Sequence, residues 1–377
     1  SIRTSALLTF TAVLVTTTAA VAQDAKDQLA AHIDANADSY SEVAQEIWEL
    51  AEVGYMETES TEMLQTMLRE AGFEMASGVA GMPTAFVASW GSGGPVIGIM
   101  GEFDALPGIN QSRSSERDPI PGKVAGHACG HHLFGTGSVA AAMAVKDWLE
   151  RTGQPGTIRV YGTPAEEGGA GKVYMVRAGL MNDVDAMLHW HASSENSASA
   201  SSSLANKSAK FRFYGQSAHA AAAPWRGRSA LDGVEAMHNM VNMMREHVTP
   251  ASRMHYVVTA GGSAPNVIPD FAESYIYVRH PDPKEVRRMF EWVVKTADGA
   301  ALGTDTHMEY EVIHGIYNVL PNEPLARAMH ANLTRVGGVA YTAEEQRFAE
   351  MIQHSFPADA PPIESAMQVQ PFEVIEV

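Results

Sequence analysis

Apolar residues recur at helical spacing from Asp24 to Ala51, where Leu29, Ile33, Val43, Ile47 and Leu50 share a side. A second helical stretch, Ser60 to Ala71, stops at Gly72. Thr84 to Trp90 and Pro95 to Met100 predict strands, the second an unbroken apolar run suited to the middle of a sheet. It leads straight into Gly101-Glu102-Phe103-Asp104-Ala105-Leu106-Pro107-Gly108. Carboxylates just past a buried strand are well placed for a site at the sheet's carboxyl edge, although Asp104 alone serves equally well to cap a turn. Thr136 to Leu149 predicts a helix rich in small residues, broken by Gly153-Gln154-Pro155-Gly156. The short strand Thr157 to Tyr161 runs into Thr163-Pro164-Ala165-Glu166-Glu167-Gly168-Gly169. A helix to about Ala178 and a strand from Val184 to Trp190 follow, ending on His189-Trp190-His191. Strand, helix and strand with polar groups at the strand ends predict an α/β domain.

After a polar connection, Ser193 to Ser203, the pattern changes. Strand Ala209 to Tyr214, helix Ser229 to Glu246, strands His255 to Thr259 and Ser274 to Arg279, helix Lys284 to Ala301 and strand Met308 to Ile313 form two halves of an α+β sandwich. We take 206–316 as a second domain inserted into the first, which occupies 23–205 and 317–377. Within the last part, Glu323 to Val336 and Glu344 to His354 predict helices, and Pro357 to Val377 has no clear period.

The 377 residues exceed what one typical core supports, in agreement with two domains. A formal charge of −18 with no run of Lys or Arg argues against nucleic acid or an anionic membrane surface as a partner. Arg3, the apolar run Ala6 to Val15 and Ala20-Val21-Ala22 before Gln23 read as a secretory signal over 1–22, with a membrane anchor as the rival reading. Export to the periplasm or the medium is therefore expected. The single cysteine excludes an internal disulfide and leaves Cys129 free for a metal.

That cysteine lies in Gly126-His127-Ala128-Cys129-Gly130-His131-His132-Leu133-Phe134-Gly135. Thiolate and imidazole are strong zinc and manganese ligands, and Cys129 and His131, two apart on an extended segment, can point the same way. The plain alternative makes Cys129 a small buried hydrophobe. Two further strand ends carry metal-type groups, Glu166-Glu167 and His191. Neighbouring side chains diverge on extended backbone, so one glutamate can bind a metal while the other holds the metal's water and takes its proton as it attacks a carbonyl. That division of labour is hydrolytic.

The order Glu-Phe-Asp-Ala-Leu-Pro-Gly, Gly-His-Ala-Cys-Gly-His, Pro-Ala-Glu-Glu-Gly, Gly-Gln-Ser-Ala-His-Ala and Ala-Pro-Asn-Val-Ile-Pro-Asp resembles the M20 metallopeptidase/amidohydrolase family. Within it, the chain resembles the branch of aminobenzoyl-glutamate and auxin-conjugate hydrolases, from roughly Ile47 to Leu333. The resemblance implies an α/β catalytic domain around a mostly parallel sheet, interrupted by a lid domain that also forms a homodimer. It further implies two divalent ions, manganese or zinc, and cleavage of an N-acyl amino acid amide. Carried over by position, Cys129, His131, Glu167 and His191 match metal ligands and Glu166 the general base. His219 matches a lid histidine that polarises the scissile carbonyl, and Asn266 and Arg279 match positions that meet the substrate's carboxylate. Asp104 would orient a ligand, and His127 and His189 stand as supporting residues. His132 departs from the Asn or Asp of relatives, which alters the surroundings of the metals or offers them an extra nitrogen. The family's last metal-binding histidine has no match; the final histidine, His354, sits in a helical context. On this reading the chain is a fragment that holds at most one metal tightly. A dipeptidase or carboxypeptidase, and a non-catalytic metal-binding protein, are the competing readings.

Overall fold

The computed structural model describes residues 25–375, so the secretory signal read at 1–22 lies outside the described residues. The chain folds into two compact units. One runs up to Asn196 and includes Val336–Gln368; the other holds Ser197–Arg335 and the end of the chain from Val369. The connection near 196 falls in the polar Ser-rich segment.

In the first unit, a helical stretch over 25–35 is separated by a turn at Asn36 from α1 (Ala37–Leu50). Ile47 of α1 is fully buried. α2 (Thr58–Glu70) buries Leu64 and Leu68 in the same core, against Phe86, Phe103 and Ile158. The sheet contains β1 (Glu74–Ser77), β2 (Phe86–Ser92), β3 (Val96–Gly101), β4 (Gly156–Gly162) and β5 (Ala186–Leu188), in the spatial order β1-β2-β4-β3-β5. β4, β3 and β5 pair in parallel, while β2 is antiparallel to both β4 and β1. Four of the five strands therefore point one way, the mostly parallel sheet expected. β1 has no counterpart in the sequence pattern, because Glu-Met-Ala-Ser carries no strand signal; pairing with β2 imposes it.

Two expected boundaries move. The helix placed at Thr136 begins at His131, as α3 (His131–Thr152), and Cys129 sits in a turn before it. Cys129 and His131 are thus not on an extended segment. Gly130 turns the chain between them at φ +80°, and a Cβ there would meet Ala192 Cβ at 2.6 Å. The strand expected to reach Trp190 is only three residues long, so His189, Trp190 and His191 lie in the loop beyond β5. A short helix, α4 (Gly171–Arg177), follows the Glu166-Glu167 loop.

The second unit is an antiparallel sheet of β6 (Ala205–Tyr214), β7 (Arg253–Ala260), β8 (Phe271–His280) and β9 (His307–Ile316), in the order β7-β8-β6-β9. Helices α5 (Ala230–Met244) and α6 (Pro283–Thr304) cover one face. Alternation assigns the faces: Phe211 and Phe213 enter the core, and Lys210 and Arg212 face away from it. Each strand runs longer than its apolar pattern, since ladder hydrogen bonds continue through polar positions such as Asn206 opposite Arg279. Helix α7 (Glu323–Val336) follows, and α8 (Ala343–Gln353), opened by a capping box of Thr342 and Glu345, belongs to the Val336–Gln368 part of the first unit. No helix among the described residues is long and apolar enough to cross a membrane.

Candidate metal centre

Because β4, β3 and β5 are parallel neighbours, their carboxyl ends share one edge of the first unit's sheet. Glu102 and Asp104 follow β3, Glu166 and Glu167 follow β4, and His191 follows β5. The start of α3 brings His131 to the same edge, where it is 1% exposed. Donor atoms of Cys129, His131 and His191 lie within 4.8 Å of one another, as do those of Glu102, His131 and Glu166.

Hydrogen bonds decide where the ring hydrogens sit. His131 Nδ1 faces two acceptors, the Asp104 carbonyl at 3.0 Å and Oδ1 at 3.1 Å, so it carries hydrogen. His191 Nδ1 likewise donates to the Ala192 carbonyl at 2.8 Å. In the neutral rings each Nε2 then presents a lone pair, and these two nitrogens stand 3.3 Å apart. Glu102 Oε2 lies 3.0 Å from His131 Nε2 without alignment for a hydrogen bond, and Glu167 Oε1 lies 4.0 Å away. Both oxygens are buried and have no hydrogen-bond partner among the described residues. Lone pairs converging on one space repel unless a proton or a cation stands between them. The pKa values show the proton's claim: burial opposes charge on His131, but Asp104 and Glu102 push it up to about 10. Burial likewise opposes charge on Glu102, yet His131 and the Lys172 ammonium hold it down to about 2. Burial and then the Glu167 carboxylate push the Cys129 thiol up to about 12. A divalent cation reverses that last effect, because it favours the thiolate. The donor set of one thiol, two imidazole nitrogens and bare carboxylate oxygens therefore fits a divalent metal.

The surrounding contacts fix the donors. Asp104 holds His131 through Oδ1 and accepts the Glu167 N–H at Oδ2, 2.8 Å away. Glu166 is exposed at the mouth of the site, yet protein surrounds it closely enough that burial, and then Glu102, raise its carboxyl above the usual range. Ala165, just before it, adopts φ +55°, a conformation uncommon for a residue with a Cβ. Its N–H donates to Oε1 of the fully buried Glu57 at 2.8 Å, while Thr84 donates to Oε2 at 2.9 Å.

Other expected residues fall elsewhere. His132 turns away from the donors toward His127, ring centroids 5.1 Å apart, and His127 Nε2 contacts the Ile47 carbonyl. Burial and the neighbouring His131 lower His132 to about 4, and it joins neither donor group. His354 contacts its own helix at the Glu350 carbonyl, 2.6 Å away. In the second unit, His219 and Asn266 lie on adjoining loops: His219 bridges Val267, and Ala220 N–H donates to the Asn266 carbonyl. Arg279 is near the other end of β8, over the Tyr277 ring, roughly 25 Å along the strand from Phe271 at ~3.3 Å per residue. The fold does not bring Arg279 to Asn266 within the unit. Lys172 and Glu57 do not stand out in the sequence, and Glu102 does so only as one of the carboxylates just past the apolar strand β3.

An α/β sheet with thiol, imidazole and carboxylate donors gathered at its carboxyl edge defines a metal-dependent amidohydrolase. The chain belongs to peptidase family M20/M25/M40, whose description matches residues 98–362. It is 43% identical over 324 residues to one of the subunits of p-aminobenzoyl-glutamate hydrolase of Escherichia coli, covering 85% of this chain and 67% of that protein. It is 32% identical over 336 residues to the Xaa-Arg dipeptidase of Mus musculus, covering 85% and 74%. The fold matches the crystal structure of an aminobenzoyl-glutamate utilization protein from Klebsiella pneumoniae with a TM-score of 0.61 at 18% identity, over 92% of each chain.

Proposed function

We propose that the chain hydrolyses the amide bond of N-aroyl or N-acyl amino acids, with aminobenzoyl-glutamate as the type of substrate. The observation that carries this is the 43% identity to the p-aminobenzoyl-glutamate hydrolase of Escherichia coli. Cys129, His131, Glu167 and His191 would hold two divalent ions, manganese or zinc. Such an ion lowers the pKa of a water and polarises a carbonyl. Glu166, whose raised pKa lies nearer neutrality than an ordinary carboxyl's, takes the proton from the attacking water and passes it to the leaving amine. Asp104 fixes the His131 tautomer that leaves Nε2 free to bind. His219, which matches a lid histidine, is proposed as the donor to the developing oxyanion. Asn266, on the loop beside His219, meets the substrate carboxylate; Arg279, at the far end of β8, is proposed for it only from a second copy. A homodimer through 206–316 is part of this reading. Because that relative is one of two kinds of subunit, pairing with a different chain is the alternative, which mass measurement in solution separates. Export is proposed on the apolar run and Ala20-Val21-Ala22, and is tested by fractionating cells.

The test is release of free amino acid by the manganese- or zinc-loaded protein from a panel of N-aroyl amino acids, N-acyl amino acids and dipeptides. No cleavage across the panel sinks the proposal. Cleavage of dipeptides alone supports the second reading, a dipeptidase, which the 32% identity to the Xaa-Arg dipeptidase favours.

A further inference from the structure

We infer that Glu102 is itself a metal ligand, placing a carboxylate oxygen on the ion that His131 holds; this rests on the metal-centre reading above. Its two oxygens have different surroundings. Oε1 pairs with the Lys172 ammonium, while Oε2 is buried with no hydrogen-bond partner among the described residues. The whole residue is 5% exposed, so water does not satisfy that oxygen as it would at a surface. A carboxylate left bare in this way is costly unless something positive meets it.

The position of Oε2 says what that partner is. It lies 3.0 Å from His131 Nε2, so either the second proton of a charged ring or a cation that replaces it stands between them. On the neutral ring, whose hydrogen Asp104 engages at Nδ1, that place falls to a cation. Two donors bound to one ion at about 2.1 Å stand roughly 3.0 Å apart in octahedral geometry and roughly 3.4 Å in tetrahedral geometry. The observed separation falls at the octahedral value. A donor atom of Glu166 completes a set spanning no more than 4.8 Å, which brings the proposed base close to the same ion. Lys172 does not compete for this role, because it occupies Oε1 and a carboxylate can serve both partners at once.

The test uses the full chain loaded with cobalt(II), reading metal per chain after dialysis, affinity against a chelator, and the visible absorption of the bound ion. Variants Glu102→Gln, Glu102→His and Cys129→Ala are compared with the wild type. Glu102→Gln is expected to weaken one ion by more than about a hundredfold, beyond the ~10–100-fold typical of a residue that only supports a ligand. Glu102→His, which offers a nitrogen, is expected to keep the ion with a shifted spectrum. If Glu102→Gln keeps wild-type metal content, affinity and spectrum while Cys129→Ala loses metal, Glu102 is no ligand and the metal-centre reading stands. If Cys129→Ala also keeps all its metal, both fail. Should Glu102→Gln not fold, Glu102→His decides alone: an unchanged cobalt spectrum overturns the inference.

Discussion

Both units bury histidines, and His131 of the first is surrounded quite differently from His238 and His314 of the second. In the second unit, His238 stacks on Tyr256 with ring centroids 3.7 Å apart, and its Nε2 meets Ser274 Oγ at 2.7 Å. His314 has both ring nitrogens occupied, by Asn206 Nδ2 at 3.0 Å and Ser208 Oγ at 2.9 Å. These partners are neutral hydroxyl and amide groups, and no carboxylate or thiol is among them. In the first unit, His131 Nε2 faces another imidazole nitrogen and a bare carboxylate oxygen. Burial pushes His238 down to about 4, whereas carboxylates overcome burial and push His131 up to about 10. His131 therefore differs from His238 and His314 in what its free nitrogen faces: donor atoms of other metal-type groups rather than a hydroxyl or an amide.

The largest effect should come from the base. Glu166→Gln keeps shape and loses proton acceptance, and should lower kcat by about 10²–10⁴. Metal content should stay unchanged. Turnover near wild type in that variant would leave the bare oxygens of the first unit without a catalytic role. Cys129→Ala follows, with loss of metal and a fall in turnover on the order of a hundredfold, read by metal analysis and rate together. Full metal and full rate would make the first unit's histidines as structural as His238.

Effects on stability should be smaller. Glu57→Ala strands the buried donors of Ala165 and Thr84, each costing about 1–3 kcal/mol, and should lower the melting temperature by several degrees. Because Ala165 precedes Glu166, kcat should fall as well; an unchanged kcat would show that Glu57 only supports the fold. The smallest effect concerns His238. Its folded pKa of about 4 lies below the ordinary 6.5, so the unfolded chain binds more protons between those values. The stability this gives is fully present above pH 6.5 and is lost as the pH falls through 4. The melting temperature of His238→Gln should decline less over that window than the wild type's. Parallel curves would mean that His238 is not held neutral by burial.

Much of the second unit is legible in the chain, since helices over Glu323–Val336 and strands such as Phe271–His280 follow the period of their apolar residues to within a few positions. The candidate site is partly legible. Cys129, His131, Glu166, Glu167 and His191 stand out because thiol, imidazole and carboxylate groups follow apolar strands. Glu57 does not, because its role depends on an N–H that is 108 residues away in the chain. β1 and the start of α3 at His131 are not legible, because pairing with β2 and packing of Phe134 and Gly135, not local propensity, create them.

The order of residues by itself determined the class of fold, the family and the set of side chains able to bind a metal, because periodicity and side-chain chemistry are local properties. Only the tertiary structure decided which of those groups meet. It gathered Glu102 to His131 across the edge of the sheet, turned His132 toward His127, and set Arg279 at the far end of a strand from Asn266. It also decided protonation, since which nitrogen of His131 carries hydrogen depends on Asp104, 27 residues earlier in the chain. Lone-pair direction and burial arise from distant parts of the chain meeting in space, and no local pattern encodes them.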